Sequence, residues 1–237
     1  MRETAPATLV LLPGLLCDSR IFAAQLARFP GAVAIDGFGE RRSLTEMARF
    51  ALESVPGPLS LLGHSMGGRV ALEAYRIAPE RIARLALLST GIHMPHPGEA
   101  EKRHALLDLG LAQGAAALVD RWLPPMVAPA RVDDAALMAP LREMCIAAGV
   151  PAFAAQITAL LGRPDVDALL PTIRCPTLVG VGSEDAWSPP AQHETIAAAI
   201  PGAQLMIVEG SGHMLPAEAP DALNDAIAEW LSQPTLD

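Results

Sequence analysis

Six short apolar runs punctuate the chain, at residues 8–12, 32–35, 59–62, 85–88, 177–181 and 205–208. They are built mostly of Leu, Val, Ile and Ala and show no strict apolar–polar alternation, the pattern of strands covered on both faces. Helix-period segments separate the first four runs and the last two. That rhythm predicts a mostly parallel sheet of about six strands with helices on both faces. Between residues 89 and 171 it changes. Four amphipathic segments follow one another at 99–109, 113–122, 133–148 and 151–161, punctuated by Pro95, Pro97, Pro124, Pro125, Pro129 and Pro164. A helical cap at 93–170, inserted into a core made of 1–92 and 171–237, is therefore expected. The stretch Glu99-Ala100-Glu101-Lys102-Arg103-His104 reads as a solvated helix start.

The third apolar run ends in Gly63-His64-Ser65-Met66-Gly67, and a helix-like segment follows at once. A serine on a sharp strand-to-helix turn is held out as an exposed nucleophile. Gly63 and Gly67 are read as steric necessities, since strand and helix come too close for a side chain. Gly-x-Ser-x-Gly alone is weak, arising by chance in about one chain in ten of this size; its place after a strand and before a helix gives it weight. Two partners sit just beyond later runs. Asp185 closes Gly182-Ser183-Glu184-Asp185, and His213 closes Gly210-Ser211-Gly212-His213. A serine hydroxyl needs a base near neutrality. His213 would take its proton and later return it, and Asp185 would set the tautomer. All three lie where strands of a parallel sheet end, the usual place for a site. Glu184 competes for the acid role. His64 is expected behind the serine, His93, His96, His104 and His193 in surface or supporting roles, and Asp36 as a loop brace.

With these residues the chain resembles the α/β-hydrolase superfamily, in its small bacterial esterase-like branch. The likeness rests on Leu11-Leu12-Pro13-Gly14-Leu15-Leu16, Gly63 to Gly68, Ala78-Pro79-Glu80-Arg81, Gly182 to Asp185 and Gly212-His213, and it covers nearly the whole chain. The order Ser65, Asp185, His213 is that superfamily's order. The resemblance implies an α/β-hydrolase fold lacking the usual first hairpin. It also implies an oxyanion hole from the backbone N–H groups of Leu15 and Met66. Its ester-cleaving members form an acyl-enzyme. Lactonases and acyl-carrier or thioester-type esterases share the same triad, and some members are non-catalytic binding or signalling proteins. Leu16, Trp122, Met126, Trp187 and Met214 are candidates to line an apolar substrate pocket, with Met94 and Leu215 behind them. Arg121, Arg131 and Arg142 could hold an anion, although solvated faces are the simpler expectation.

Composition narrows the partners. Seventeen basic against 26 acidic residues leave a formal net charge of −9, which argues against nucleic acid and anionic membranes. Cys17, Cys145 and Cys175 are widely spaced, without a metal or redox pattern. No signal peptide and no apolar stretch long enough for a bilayer are read. The expectation is a cytoplasmic monomer or weak homodimer, free of metal and cofactor, acting on a small-molecule ester.

Overall fold

The structure, a computed structural model, describes residues 6–235. The outermost residues of the expected core, 1–5 and 236–237, lie outside that range. Strand β1 (Thr8–Leu12) leads through α1 (Ala23–Arg28) to β2 (Val33–Ala34), and α2 (Leu44–Ser54) leads on to β3 (Leu59–His64). After α3 (Met66–Ile77) and β4 (Ile82–Leu88) come the helices α4 (Glu99–Trp122) and α5 (Ala135–Leu161). The chain closes with β5 (Thr177–Gly182), α6 (Pro190–Ala199), β6 (Gln204–Val208), α7 (Leu215–Glu218) and α8 (Pro220–Ser232).

All pairings are parallel, in the order β2-β1-β3-β4-β5-β6. Right-handed crossovers put α1 on one face of such a sheet and α2, α3 and α6 on the other. The packing agrees: α1 meets α8, and α2 meets α3. Every residue of β3 and β5 is buried, and Leu59, Leu61 and Leu62 bury their side chains fully, each stabilising by about 1.5–3 kcal/mol. Arg81, in the turn before β4, donates to the carbonyls of Leu52, Val55 and Gly57. It thus pins the loop that feeds β3.

The edges differ from the sequence reading. Strand β2 is only two residues long, and Val33 is exposed. On the opposite edge Leu205 and Ile207 of β6 are exposed as well. An edge strand has one neighbour, so apolar residues there need not be covered on both faces.

Between β4 and β5 the four expected helical segments merge into two helices, each broken at a glycine. Gly114 interrupts α4 at φ 88° and Gly149 interrupts α5 at φ 81°. Asp134 caps α5, accepting the N–H groups of Ala136 and Leu137, as an N-cap aspartate does. One expectation is overturned: α5 is long and apolar enough, by length and composition, to cross a membrane. Merging two segments that read separately in sequence produces that length. The break at Gly149 leaves two pieces, each shorter than the roughly 20 residues a span needs. The cysteines are free, with Cys17 and Cys145 buried and Cys175 half-buried.

The tightest place lies where β1, β3 and α3 converge. A Cβ on Gly67 would run into the carbonyl of Leu12, and one on Gly63 into the carbonyl of Gly67. Gly67→Ala is therefore expected to cost more than about 2 kcal/mol of stability, read from the urea midpoint; an unchanged midpoint would show that the turn can open.

Two histidines are sealed in this scaffold. His64, the last residue of β3, donates from Nε2 to the His213 carbonyl at 2.8 Å. His193 on α6 accepts the Thr90 N–H at 2.9 Å. Burial, helped by His213, lowers His64 to about 3, and burial lowers His193 to about 4. In the unfolded chain both would titrate near 6.5. Below that pH the unfolded state binds more protons than the native one, so stability rises with pH across the window. This contribution is complete above about pH 6.5 and is lost as the pH falls toward 4 and then 3. The melting temperature should drop between pH 7 and pH 4.5. His193→Gln, which keeps an acceptor for Thr90, should drop less. An equal or steeper fall in that variant would contradict the assignment.

Candidate active site

Ser65 stands between β3 and α3 at φ 55°, ψ −117°, a conformation disfavoured for any residue with a Cβ. Its N–H donates to the Leu88 carbonyl at 2.8 Å, and the two glycines beside it let the chain turn sharply enough to hold it there. The side chain is thereby directed to the C-terminal ends of the strands.

His213 approaches from the loop after β6. Its Nε2 lies 2.8 Å from Ser65 Oγ, and its Nδ1 lies 2.9 and 3.0 Å from the two carboxylate oxygens of Asp185. Asp185 is buried, and its Oδ1 also accepts the N–H groups of Trp187 and Ser188 at 2.9 and 2.8 Å. Burial alone would raise this carboxyl; the adjacent imidazole and the two N–H donors outweigh it and hold the group below its usual range. The aspartate is thus fixed as an anion against Nδ1. Glu184, the rival acid, is exposed and takes no part.

The loop bearing His213 is anchored from the helical insertion. The N–H groups of His213 and Met214 both reach the Met126 carbonyl, at 2.9 and 3.2 Å. Glu218 on α7 accepts three backbone N–H groups, from Ala128 and Met214 at 2.9 Å and Gly212 at 3.0 Å. This clamp escaped the sequence reading. Its only local signal is an acid five residues after the histidine.

Ser65, Met66, Leu15 and His213 border a cavity of about 400 Å³, within the range of small-molecule sites. Among the described residues, the backbone N–H groups of Leu15 and Met66 have no acceptor in the chain. Trp122 and Met126 border the cavity as expected, with Leu106, Phe153 and Leu160; Trp187 borders it while staying 45% exposed. Leu16 and Met214 are corrections. Each is only 1% exposed and neither lines the cavity. Leu16 adopts φ 58° and gives its N–H to Gln156 Oε1, and Met214 is fixed behind His213 by the bonds above. Leu215 is likewise core, and Met94 is exposed away from the cavity.

The polar wall also differs. The expected solvated helix start instead supplies Glu99, Lys102 and Arg103 to the cavity, joined by Arg69, His93, His96 and Arg163. Arg131 and Arg142 pair with Asp134 and Asp120, and neither borders the cavity, nor does Arg121. Arg69 was legible in principle, since it stands in the first turn of α3, four residues after Ser65. Arg163 and Glu99 are 64 residues apart, with nothing local to link them. Asp36 braces a loop, accepting from Ser19 at 2.7 Å. Among the described residues no group of His, Cys, Asp and Glu is arranged to hold a metal.

Comparison with known proteins points the same way. A Thermogutta terrifontis esterase, described with malate bound, superposes with a TM-score of 0.86 at 28% identity, covering 96% of this chain and 90% of that one. A pimeloyl-[acyl-carrier protein] methyl ester esterase of Nitrosomonas europaea is 28% identical over 194 residues, 76% of each protein. The chain is 31% identical over 185 residues to the polyketide synthase ThaQ of Burkholderia thailandensis, matching 75% of its own length and spanning 9% of that far longer protein. The model of the alpha/beta hydrolase family matches residues 9–226; with its six-stranded parallel sheet and a serine at the turn after β3, the chain belongs to that family.

Proposed function

We propose that the chain is a cofactor-free serine hydrolase of carboxylic esters. The observation that carries this reading is the unbroken relay from Ser65 Oγ through His213 to Asp185, with contacts of 2.8 and 2.9 Å at the wall of the cavity. Ser65 Oγ attacks the ester carbonyl carbon as its proton passes to His213 Nε2. The carbonyl oxygen becomes an oxyanion, and the unpaired N–H groups of Leu15 and Met66 are its donors. The C–O bond then breaks, His213 returns the proton to the leaving alcohol, and the acyl group stays on Ser65. Water enters by the same route and releases the acid. Asp185 keeps the imidazole in the tautomer that can accept at Nε2 and steadies the cation that forms.

Helices α4 and α5 act as the cap in this reading. Trp122, Met126, Phe153 and Leu160 give the substrate's carbon chain an apolar wall and help exclude water. The likeness to an esterase of known structure and to a methyl ester esterase supports the reaction class.

The test is turnover of short p-nitrophenyl esters. Ser65→Ala and His213→Ala should each lower kcat by about 10⁴-fold, and Asp185→Asn by a similar order, with melting temperatures near that of the unaltered protein. No turnover by the unaltered protein, or Ser65→Ala keeping a tenth of its rate, would defeat the reading.

A further inference from the structure

Charge is distributed unevenly between the chain and its cavity. The whole sequence carries a formal net charge of −9. Yet among the described residues Arg69, Lys102, Arg103 and Arg163 border the cavity beside a single carboxylate, Glu99. That carboxylate is fully engaged. Arg163 grips both its oxygens at 2.6 Å, and Arg103 Nε reaches Oε1 at 2.9 Å. Burial would raise the Glu99 carboxyl, but the two guanidinium groups bring it down to about 2.

Arg69 has no such partner. Its one hydrogen bond within the described residues runs from Nη2 to the His93 carbonyl at 3.0 Å, an oxygen that Arg163 Nε also uses at 2.8 Å. The residue is only 7% exposed. Burial and the nearby Arg163 depress its guanidinium to about 9. Arg20, Arg76, Arg131 and Arg142 are all far more exposed, and each has a carboxylate of its own. A buried cation without a counter-ion is unfavourable, and this one borders the space where substrate would lie.

We infer that the cavity is shaped for an ester that also bears a free carboxylate, and that Arg69 receives that carboxylate. The ester half of this inference rests on the proposed reaction; the carboxylate half rests on the charge balance alone. One planar guanidinium fork matches the two oxygens of a carboxylate, and four basic side chains against one acidic one leave the cavity wall with an excess of positive charge that favours an anionic substrate. Arg69 stands in the first turn of α3, immediately after the Ser65 turn, and both residues border the cavity. Both ends of a short dicarboxylic acid monoester can therefore be held within one cavity. The apolar wall of Trp122 and Met126 serves the methylene chain between them.

The experiment compares monomethyl with dimethyl esters of glutaric, adipic and pimelic acids by pH-stat. The unaltered protein should show a kcat/KM roughly 10- to 100-fold higher for the charged monoester of the best-fitting chain, the range for a hydrogen bond to a charged group. Its KM for the monoester should rise with sodium chloride while that for the diester does not. In Arg69→Gln the monoester-to-diester ratio should fall to one or below. Arg69→Lys, which keeps the charge but not the fork, should retain part of it. Should Arg69→Gln fail to fold, the substrate ratio and salt response of the unaltered protein decide. Equal or better turnover of the diester, without a salt effect on the monoester, overturns the inference.

Calorimetry with adipate on Ser65→Ala separates the two halves. Adipate binding that disappears when Arg69→Gln is added upholds the carboxylate receptor even if neither ester is hydrolysed, in which case the esterase reading falls alone. Adipate that does not bind, or that binds equally without Arg69, overturns the receptor whatever the turnover of esters.

Discussion

Backbone crowding where β1, β3 and α3 meet governs the rest of the molecule. The carbonyls of Leu12 and Gly67 occupy the places where side-chain carbons at Gly67 and Gly63 would stand. That contact forces the turn at Ser65 to its φ of 55° and directs the hydroxyl at the ends of the strands. It also brings the chain after β1 alongside the first turn of α3, so that the free N–H groups of Leu15 and Met66 border one cavity with Ser65. The conformation is costly for serine. The buried leucines of β3 and the Ser65 to Leu88 hydrogen bond hold it in place.

The second half of the site depends on the helical insertion as much as on the sheet. His213 lies five residues beyond the end of β6, a half-exposed edge strand, so the strand alone does not fix it. The Met126 carbonyl and the Glu218 carboxylate do it instead, taking the N–H groups on both sides of the histidine and tying them to Ala128. Hydrogen bonds to a charged acceptor are worth about 1.5–3 kcal/mol each, so three on one carboxylate make a stiff joint. The segment between α4 and α5 is therefore part of the histidine's mounting. An insertion that only roofed the cavity could be removed without moving His213; this one could not.

What could be read from the sequence follows the range of the interactions. Ser65, Asp185 and His213 were legible because each stands within a few residues of a strand end, and a strand end is a local signal. The helical character of the insertion was legible too, but the break at Gly114 falls inside a segment expected to be continuous. The shortness of β2 was not, because burial at a sheet edge depends on neighbours distant in sequence. Leu16 and Met214 looked like pocket residues from their places beside Leu15 and His213; one φ of 58° and one pair of backbone bonds turn them into the core. The arginine wall was the largest omission. Glu99 and Arg163 meet across 64 residues, and only the folded insertion shows that the polar start of α4 faces inward.

The central claim is that Ser65 is a nucleophile activated by His213. It is tested most directly by covalent labelling with a fluorophosphonate, followed by mass spectrometry of the digested protein. The expected result is one adduct, on the peptide containing Ser65, that forms rapidly in the unaltered protein and disappears in both Ser65→Ala and His213→Ala. An adduct on another residue, or labelling of Ser65 that is just as fast without His213, would contradict it.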